Sequence, residues 1–232
     1  MLTVVYLNDI SHNCTMEFTI VQKIAILVLP LIFGITLHEV AHGWVAWWCG
    51  DPTAKLSGRL SLNPIHHIDP VGTIIVPILM FVTTGFIFGW AKPVPVDARN
   101  MKNPRRDMAL VAIAGPISNI LMAFFWGGIA LIGIHFGELG NGWLGVPLTY
   151  MGEIGIMINV VLGVLNLIPL PPLDGGRFLV SILPPRMGYQ LSLIEPYSFF
   201  ILILLLVSGV LSLILSPLIQ LTMQLIGGVI GL

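Results

Sequence analysis

The sequence predicts an all-α polytopic membrane protein, and three observations carry that reading. First, 56% of the 232 residues are hydrophobic and 9% are charged, whereas a soluble domain carries about 25% charged residues. A chain of this length still needs a polar exterior when water surrounds it, so lipid must cover much of the surface. Second, apolar stretches of about the length that crosses a bilayer recur along the chain, giving about five or six membrane segments. Third, the connections between them are rich in proline, glycine and charge, and none is long enough to fold alone. A single integral membrane domain, residues 1–232, is expected. The net charge of −1 excludes the basic face that a nucleic-acid partner calls for. The lipid bilayer is the expected surrounding, and the oligomeric state stays open.

Taken in order, residues 1–19 lack the basic start, apolar run and small-residue cleavage site of a signal peptide. The first long apolar segment, residues 24–49, is therefore expected to direct the chain to the membrane. It carries His38, Glu39 and His42. Cys14 and Cys49 lie too far apart for a metal spacing, and Cys49 reads as a buried free thiol. Residues 50–70, with Gly50, Pro52, Gly58, Pro64 and Pro70, read as loop or short strand. Val71–Trp90 is apolar for about one crossing, but Pro77 and Gly85 interrupt it. Lys92-Pro93-Val94-Pro95-Val96 opens the most basic stretch, and its prolines hold it extended. Residues 108–134 form another span, interrupted at Gly115-Pro116. Trp143–Ile168 forms the next and ends in Pro169-Leu170-Pro171-Pro172-Leu173-Asp174-Gly175-Gly176. Residues 197–215 and 217–232 complete the set, with a break expected near Pro217. No internal repeat is present.

Basic residues favour the cytoplasmic side of a membrane. Lys55 and Arg59 in one loop, and Lys92, Arg99, Lys102, Arg105 and Arg106 in the next, place both flanks of Val71–Trp90 on that side. The segment then reads either as a re-entrant hairpin or as a crossing that breaks the charge rule. A hairpin requires a covering protein or a water-filled cavity, because irregular backbone is not tolerated against lipid.

The chemistry concentrates in His38-Glu39-Val40-Ala41-His42. On a helix, positions i and i+4 share a face, so both imidazoles can reach one metal ion. The glutamate between them is placed to take a proton from a water that the metal activates. The bland alternative, histidines bonded to neighbouring helices, leaves a buried carboxylate without a partner. A catalytic zinc needs a third protein ligand and an open position. Asp174 is the best candidate, since broken helix and glycines can return a carboxylate into the bilayer plane. Asp-Gly is equally a common turn dipeptide, so the residues alone leave Asp174 divided between turn and ligand. Two histidines and a carboxylate also suit iron, cobalt or manganese. His66, His67 and Asp69 form a rival set without helical register and read as an interfacial polar cluster. His135 also reads as interfacial.

His38-Glu39-x-x-His42, Gly115-Pro116-Ile117-Ser118-Asn119 and Asn166-x-x-Pro169 followed by Leu173-Asp174-Gly175 resemble the three motifs of the site-2 protease family of intramembrane zinc metalloproteases. The resemblance covers roughly residues 30–185. It is strongest to the compact prokaryotic members, since no PDZ or CBS domain is legible. It implies that His38, His42 and Asp174 bind Zn2+ and that Glu39 is the general base. It implies further that Asn166 lies near the metal and steadies an oxyanion, and that Asn119 lines the substrate groove.

The activity so implied is hydrolysis of peptide bonds within or near transmembrane segments of membrane-protein substrates. A helical substrate must unwind before its carbonyls are accessible. Lys92, Pro93, Val94, Pro95 and Val96 are expected to bind it by strand addition, with short β-strand segments near the active site. His38 and His42 lie roughly 10–17 Å along the helix from its basic end. The active site is therefore expected in the cytoplasmic half of the plasma membrane.

Overall fold

The computed structural model of the chain describes residues 18–76, 79, 82 and 89–231. The targeting role expected of the N-terminus concerns residues 1–17 in part, and these lie outside the described residues. The described chain is helical. Five helical stretches are long and apolar enough to cross a membrane: Ile20–Trp48, Pro104–Glu138, Gly142–Asn166, Pro185–Val207 and Val210–Ile230. The helices are α1 (Ile20–Trp48), α2 (Thr53–Leu56), α3 (Pro104–Glu138), α4 (Gly142–Asn166), α5 (Asp174–Ile182), α6 (Pro185–Ser192), α7 (Ser198–Val207) and α8 (Val210–Ile230). The fourth stretch joins α6 to α7 through a 3-10 turn at Glu195–Tyr197.

Prolines sit inside four of the long helices, at Pro30, Pro116, Pro147 and Pro217. Each removes one backbone hydrogen bond, a loss that membrane helices accommodate through neighbouring packing and local adjustment. Two sequence expectations are corrected here. Gly115-Pro116 does not interrupt its span, and the break in the last apolar region lies at Gly209 rather than Pro217. Gly209 takes φ +76°, a left-handed conformation that glycine adopts without steric cost, so the turn forms there and α8 runs on through Pro217.

The described chain divides into two compact units. One comprises residues 18–31, 120–165 and 193–231 among those described. Within it, the end of α3 and the start of α4 are joined by a short turn and pack through small residues. A side-chain carbon at Gly152 would strike Ala130, and one at Gly155 would strike the ring of Trp126. Such close backbone approach is how helices associate in lipid, where burial of apolar area gives no driving force. On α8, Leu218, Leu221, Leu225 and Val229 are exposed along one side, the face expected of a helix bathed in acyl chains.

The other unit comprises residues 32–119 and 166–192, and it holds every residue of the candidate site. Its connecting segments are pinned by side chains. Asp51, fully buried, accepts hydrogen bonds from the Thr53 amide and hydroxyl, the Asp97 amide and the Asn100 side chain. Burial disfavours the charged Asp51 carboxyl, but these donors outweigh it and hold the group below its ordinary value. Asp69 accepts from the amides of Val71 and Gly72 and opens a π-helical turn, Pro70–Ile75.

The interior of Val71–Trp90 lies in part outside the described residues, but its ends are described, and they meet. The Trp90 amide donates to the Gly72 carbonyl at 3.0 Å, and the Thr73 hydroxyl donates to the Trp90 carbonyl at 2.9 Å. A straight crossing would hold those ends about 30 Å apart. The contact between these described ends favours the re-entrant alternative over the straight crossing.

The expected β-strand segments are absent among the described residues. Lys92–Val96 belongs to no strand among the described residues. Pro93 and Pro95 have no N–H to donate, and the Val94 amide is committed to a side chain described below.

Candidate metal centre

α1 stays helical through its polar motif, so His38 and His42 stand one turn apart on one face. Their Nε2 atoms lie 3.1 Å from each other. Asp174 begins α5, and its Oδ2 lies 3.1 Å from His38 Nε2 and 3.3 Å from His42 Nε2. These three side chains are the single group of histidine, cysteine and acidic residues among those described whose ligand atoms converge.

The local sequence explains how Asp174 arrives there. After α4 the prolines at 169, 171 and 172 prevent the helix from continuing. The returning chain then presses onto Gly175 and Gly176. A side-chain carbon at Gly175 would strike the carbonyls of Leu167 and Ile168, and one at Gly176 would strike Leu170 and Pro171. Glycine is required at both positions by this approach.

The imidazoles are aimed from behind. His38 Nδ1 lies 2.6 Å from Asn119 Oδ1, and His42 Nδ1 lies 2.7 Å from the Val111 carbonyl. The carbonyl can only accept, and the Asn119 amide is turned so that its Nδ2 donates to the Gly34 carbonyl at 3.3 Å. Each ring therefore donates from Nδ1, and in its neutral form presents an Nε2 lone pair towards Asp174. Gly115 completes the cradle: a side-chain carbon there would collide with His42 Nε2 and with His38.

Zinc fits this donor set. Three electron-pair donors face one another in a buried pocket, and Asp174 Oδ2 has no hydrogen-bond partner. Left alone they repel; a cation among them removes the conflict. Ligands about 2.0–2.1 Å from a tetrahedral zinc stand about 3.3–3.4 Å apart, close to the 3.1 and 3.3 Å seen here. A tetrahedral ion held by three protein groups keeps one position open, the arrangement of a catalytic site.

Glu39 follows His38 and is half-buried. Its Oε2 accepts a hydrogen bond from the Val94 amide at 2.9 Å. Beside Asp174 a cavity of about 320 Å³ opens, lined mainly by Ala112, Ile113, Leu167, Pro169, Phe178 and Leu179. Its walls are apolar except for the aspartate.

The other expected residues are placed as follows. Asn166 is the last residue of α4, one position before the carbonyl that packs on Gly175. Asn119 is fully buried behind His38 and not on an open groove wall. Of Lys92–Val96, Val94 is buried and engaged with Glu39, while the carbonyls of Lys92 and Pro93 accept from Arg59. His66, His67 and Asp69 do not converge: His66 faces the Gly58 carbonyl, buried His67 the Ser61 carbonyl, and Asp69 caps a turn. Sequence reasoning missed Val111, Gly34 and Arg59. The first two act through backbone carbonyls, which leave no trace in residue type. Arg59 was counted only as a loop charge, though burial of an arginine would have singled it out.

Comparison with known proteins agrees with this chemistry. The model of Peptidase family M50 matches residues 131–209. The chain is 42% identical over 195 residues to "Putative zinc metalloprotease YwhC" of Bacillus subtilis, covering 84% of this chain and 85% of that protein. It is 26% identical over 189 residues to "Putative zinc metalloprotease Rip2" of Mycolicibacterium smegmatis, covering 81% and 68%. It is 30% identical over 166 residues to "Zinc metalloprotease MJ0392" of Methanocaldococcus jannaschii, covering 71% of this chain and 36% of that protein. No solved structure matches. The apolar helices define a membrane protein, and the three converging side chains form a group that could hold a metal ion. The chain belongs to peptidase family M50 and is a zinc metalloprotease.

Proposed function

We propose that this protease cleaves peptide bonds within or near the transmembrane segments of membrane-protein substrates, with zinc held by His38, His42 and Asp174 and with Glu39 as general base. The observation that carries the reading is the convergence of two Nε2 atoms and one carboxylate oxygen within 3.3 Å of one another, in a chain whose apolar helices require lipid. The whole of residues 1–232 acts as one membrane-embedded catalytic domain.

When bound, zinc supplies Lewis acidity for the peptide carbonyl and lowers the pKa of water from about 15.7 towards about 7. The chain's own residues do the rest. Glu39 takes the proton of the attacking water on its carboxylate, then passes it to the leaving amine as the C–N bond breaks. Asn166, at the end of α4, donates to the oxygen that becomes negative, a contact worth about 2.7–4 kcal/mol in other enzymes. The apolar cavity beside Asp174 receives a side chain of the unwound substrate. Lys92–Val96 borders the substrate, but its Val94 amide and its Lys92 and Pro93 carbonyls are already used, so it contributes chiefly by holding Glu39. His42 and His38 precede the end of α1 at Trp48 by about 9 and 15 Å. With the basic loops in the cytoplasm, the centre lies in the cytoplasmic half of the bilayer.

The experiment is Glu39→Gln, reconstituted in phosphatidylcholine vesicles with a fluorogenic membrane-spanning peptide that the unaltered enzyme cleaves. The variant keeps its zinc and loses about 10²- to 10⁴-fold in kcat, the range for general-base catalysis. Turnover near that of the unaltered enzyme, with zinc in place, contradicts the assignment.

A further inference from the structure

Arg59 is 8% exposed, and among the described residues no carboxylate pairs with it. A charge removed from water needs compensation, and this guanidinium finds it on two backbone carbonyls. Its Nη2 donates to Lys92 O at 2.7 Å and to Pro93 O at 3.3 Å. The Pro93 carbonyl and the Val94 amide belong to one peptide group. That same peptide donates its N–H to Glu39 Oε2 at 2.9 Å.

A continuous line thus runs from the Arg59 guanidinium, through the Pro93–Val94 peptide, to the Glu39 carboxylate. Hydrogen bonds in series polarise one another, so a cation on the carbonyl side strengthens the N–H as a donor. The sequence isolates this donor. Pro93 and Pro95 carry no N–H and fix their own φ, leaving Val94 as the single amide between Lys92 and Val96. The segment is fixed beyond Val96 as well, where the Asp97 amide donates to Asp51 at 2.7 Å.

We propose that Arg59 is a positioning residue for the reaction: it grips the Lys92 and Pro93 carbonyls, and the Val94 N–H so held fixes the carboxylate of Glu39 for proton transfer. The inference rests on the reading of Glu39 as general base. Lysine is not equivalent at this site, because it offers a compact point charge where arginine offers a planar fork of donors.

The test measures zinc content, kcat and KM in phosphatidylcholine vesicles with the same fluorogenic peptide, for Arg59→Ala, Arg59→Lys, Val94→Pro and the double variant Arg59→Ala/Val94→Pro. Arg59→Ala and Val94→Pro each lower kcat per bound zinc by roughly 10- to 100-fold, the effect of losing one charge-assisted hydrogen bond. Zinc stoichiometry stays as in the unaltered enzyme, KM does so in Arg59→Ala, Arg59→Lys recovers part of kcat, and the double variant is no slower than the slower single one. An Arg59 that only staples two loops gives a different pattern: kcat per bound zinc holds, or the two losses multiply. Either outcome overturns the proposal.

Should Arg59→Ala not fold, an ester in place of the Pro93–Val94 amide removes that N–H alone, and unchanged kcat in the ester overturns the proposal by itself. Hydrogen exchange gives a readout independent of turnover. Val94 is the single exchangeable amide of fragment 93–95, and it exchanges faster in Arg59→Lys than in the unaltered protein. Equal rates count against the relay. Glu39→Gln separates the two claims: if it retains activity the base assignment fails, and if it alone is inactive only the role of Arg59 fails.

Discussion

A methyl group is enough to disturb the metal centre, because Gly115 lies against both imidazoles. Gly115→Ala should push the rings off their common focus and lower zinc affinity by tenfold or more, the scale at which groups orienting metal ligands act. Gly128 on the same helix has open space where a side chain would go, so Gly128→Ala should leave zinc binding unchanged. Equilibrium competition with a chelator checks both; equal affinities for the two variants would sink the cradle argument. At this scale the sequence was informative where chemistry is local. His38, Glu39 and His42 were legible because helical periodicity alone places i and i+4 together. Asp174 was not decidable from its neighbours, since turn and ligand share the same Asp-Gly pair. In the fold, the approach of the Leu167–Pro171 backbone to Gly175 and Gly176 accompanies the placement of Asp174 Oδ2 within 3.3 Å of both histidine Nε2 atoms, and the proposed ligand role rests on that placement. Asn119 was read as lining a groove, but it sits buried on His38 Nδ1, a placement that depends on contact between α1 and α3.

Among elements, the bonds from Asp51 to Asp97 and Asn100 fix the segment whose Val94 amide meets Glu39. Asp51 has its folded-state carboxyl held below the ordinary value of 3.8. Its ionised form is therefore the stabilising one: the contribution is complete above about pH 4 and disappears as pH falls through the lowered value. Asp51→Asn turns an amide donor towards groups that are themselves donors. It should cost about 1–3 kcal/mol at pH 7, read as a lower apparent Tm in detergent. The gap between variant and unaltered protein should close below about pH 4, and a gap constant with pH would contradict the account. Helix positions were readable from apolar length, but their ends were less so. Pro217 suggested a break because proline removes a hydrogen bond, yet a helix loses little by one proline when Gly209 supplies the turn. Lys92–Val96 was expected to be extended and to pair with substrate; residue types do not show that Glu39 takes its Val94 amide and Arg59 its Lys92 and Pro93 carbonyls.

The molecule as a whole is organised by lipid. Apolar composition, exposed leucines on α8 and glycine-mediated packing of α3 on α4 all follow from the absence of water around the helices. The balance of basic loops pointed to both flanks of Val71–Trp90 lying on one side, and the hydrogen bonds between Gly72, Thr73 and Trp90 agree. Cysteines placed singly at Val71 and Ala91, after removal of Cys14 and Cys49, should react with a membrane-impermeant maleimide from the same side of sealed vesicles. Labelling from opposite sides would require a crossing and would overturn the hairpin. What the sequence could not convey at this scale is the division of the described chain into two units, which depends on contacts between residues far apart in order.

The most direct measurement is the zinc content of the purified protein beside His38→Ala, His42→Ala and Asp174→Ala, determined by mass spectrometry after chelator-buffered equilibration. One zinc per chain in the unaltered protein, with a loss in each of the three variants, is the predicted result. Full zinc occupancy in Asp174→Ala, at the same free-zinc level that empties His38→Ala, would show that the aspartate does not share the ion and would contradict the proposed centre.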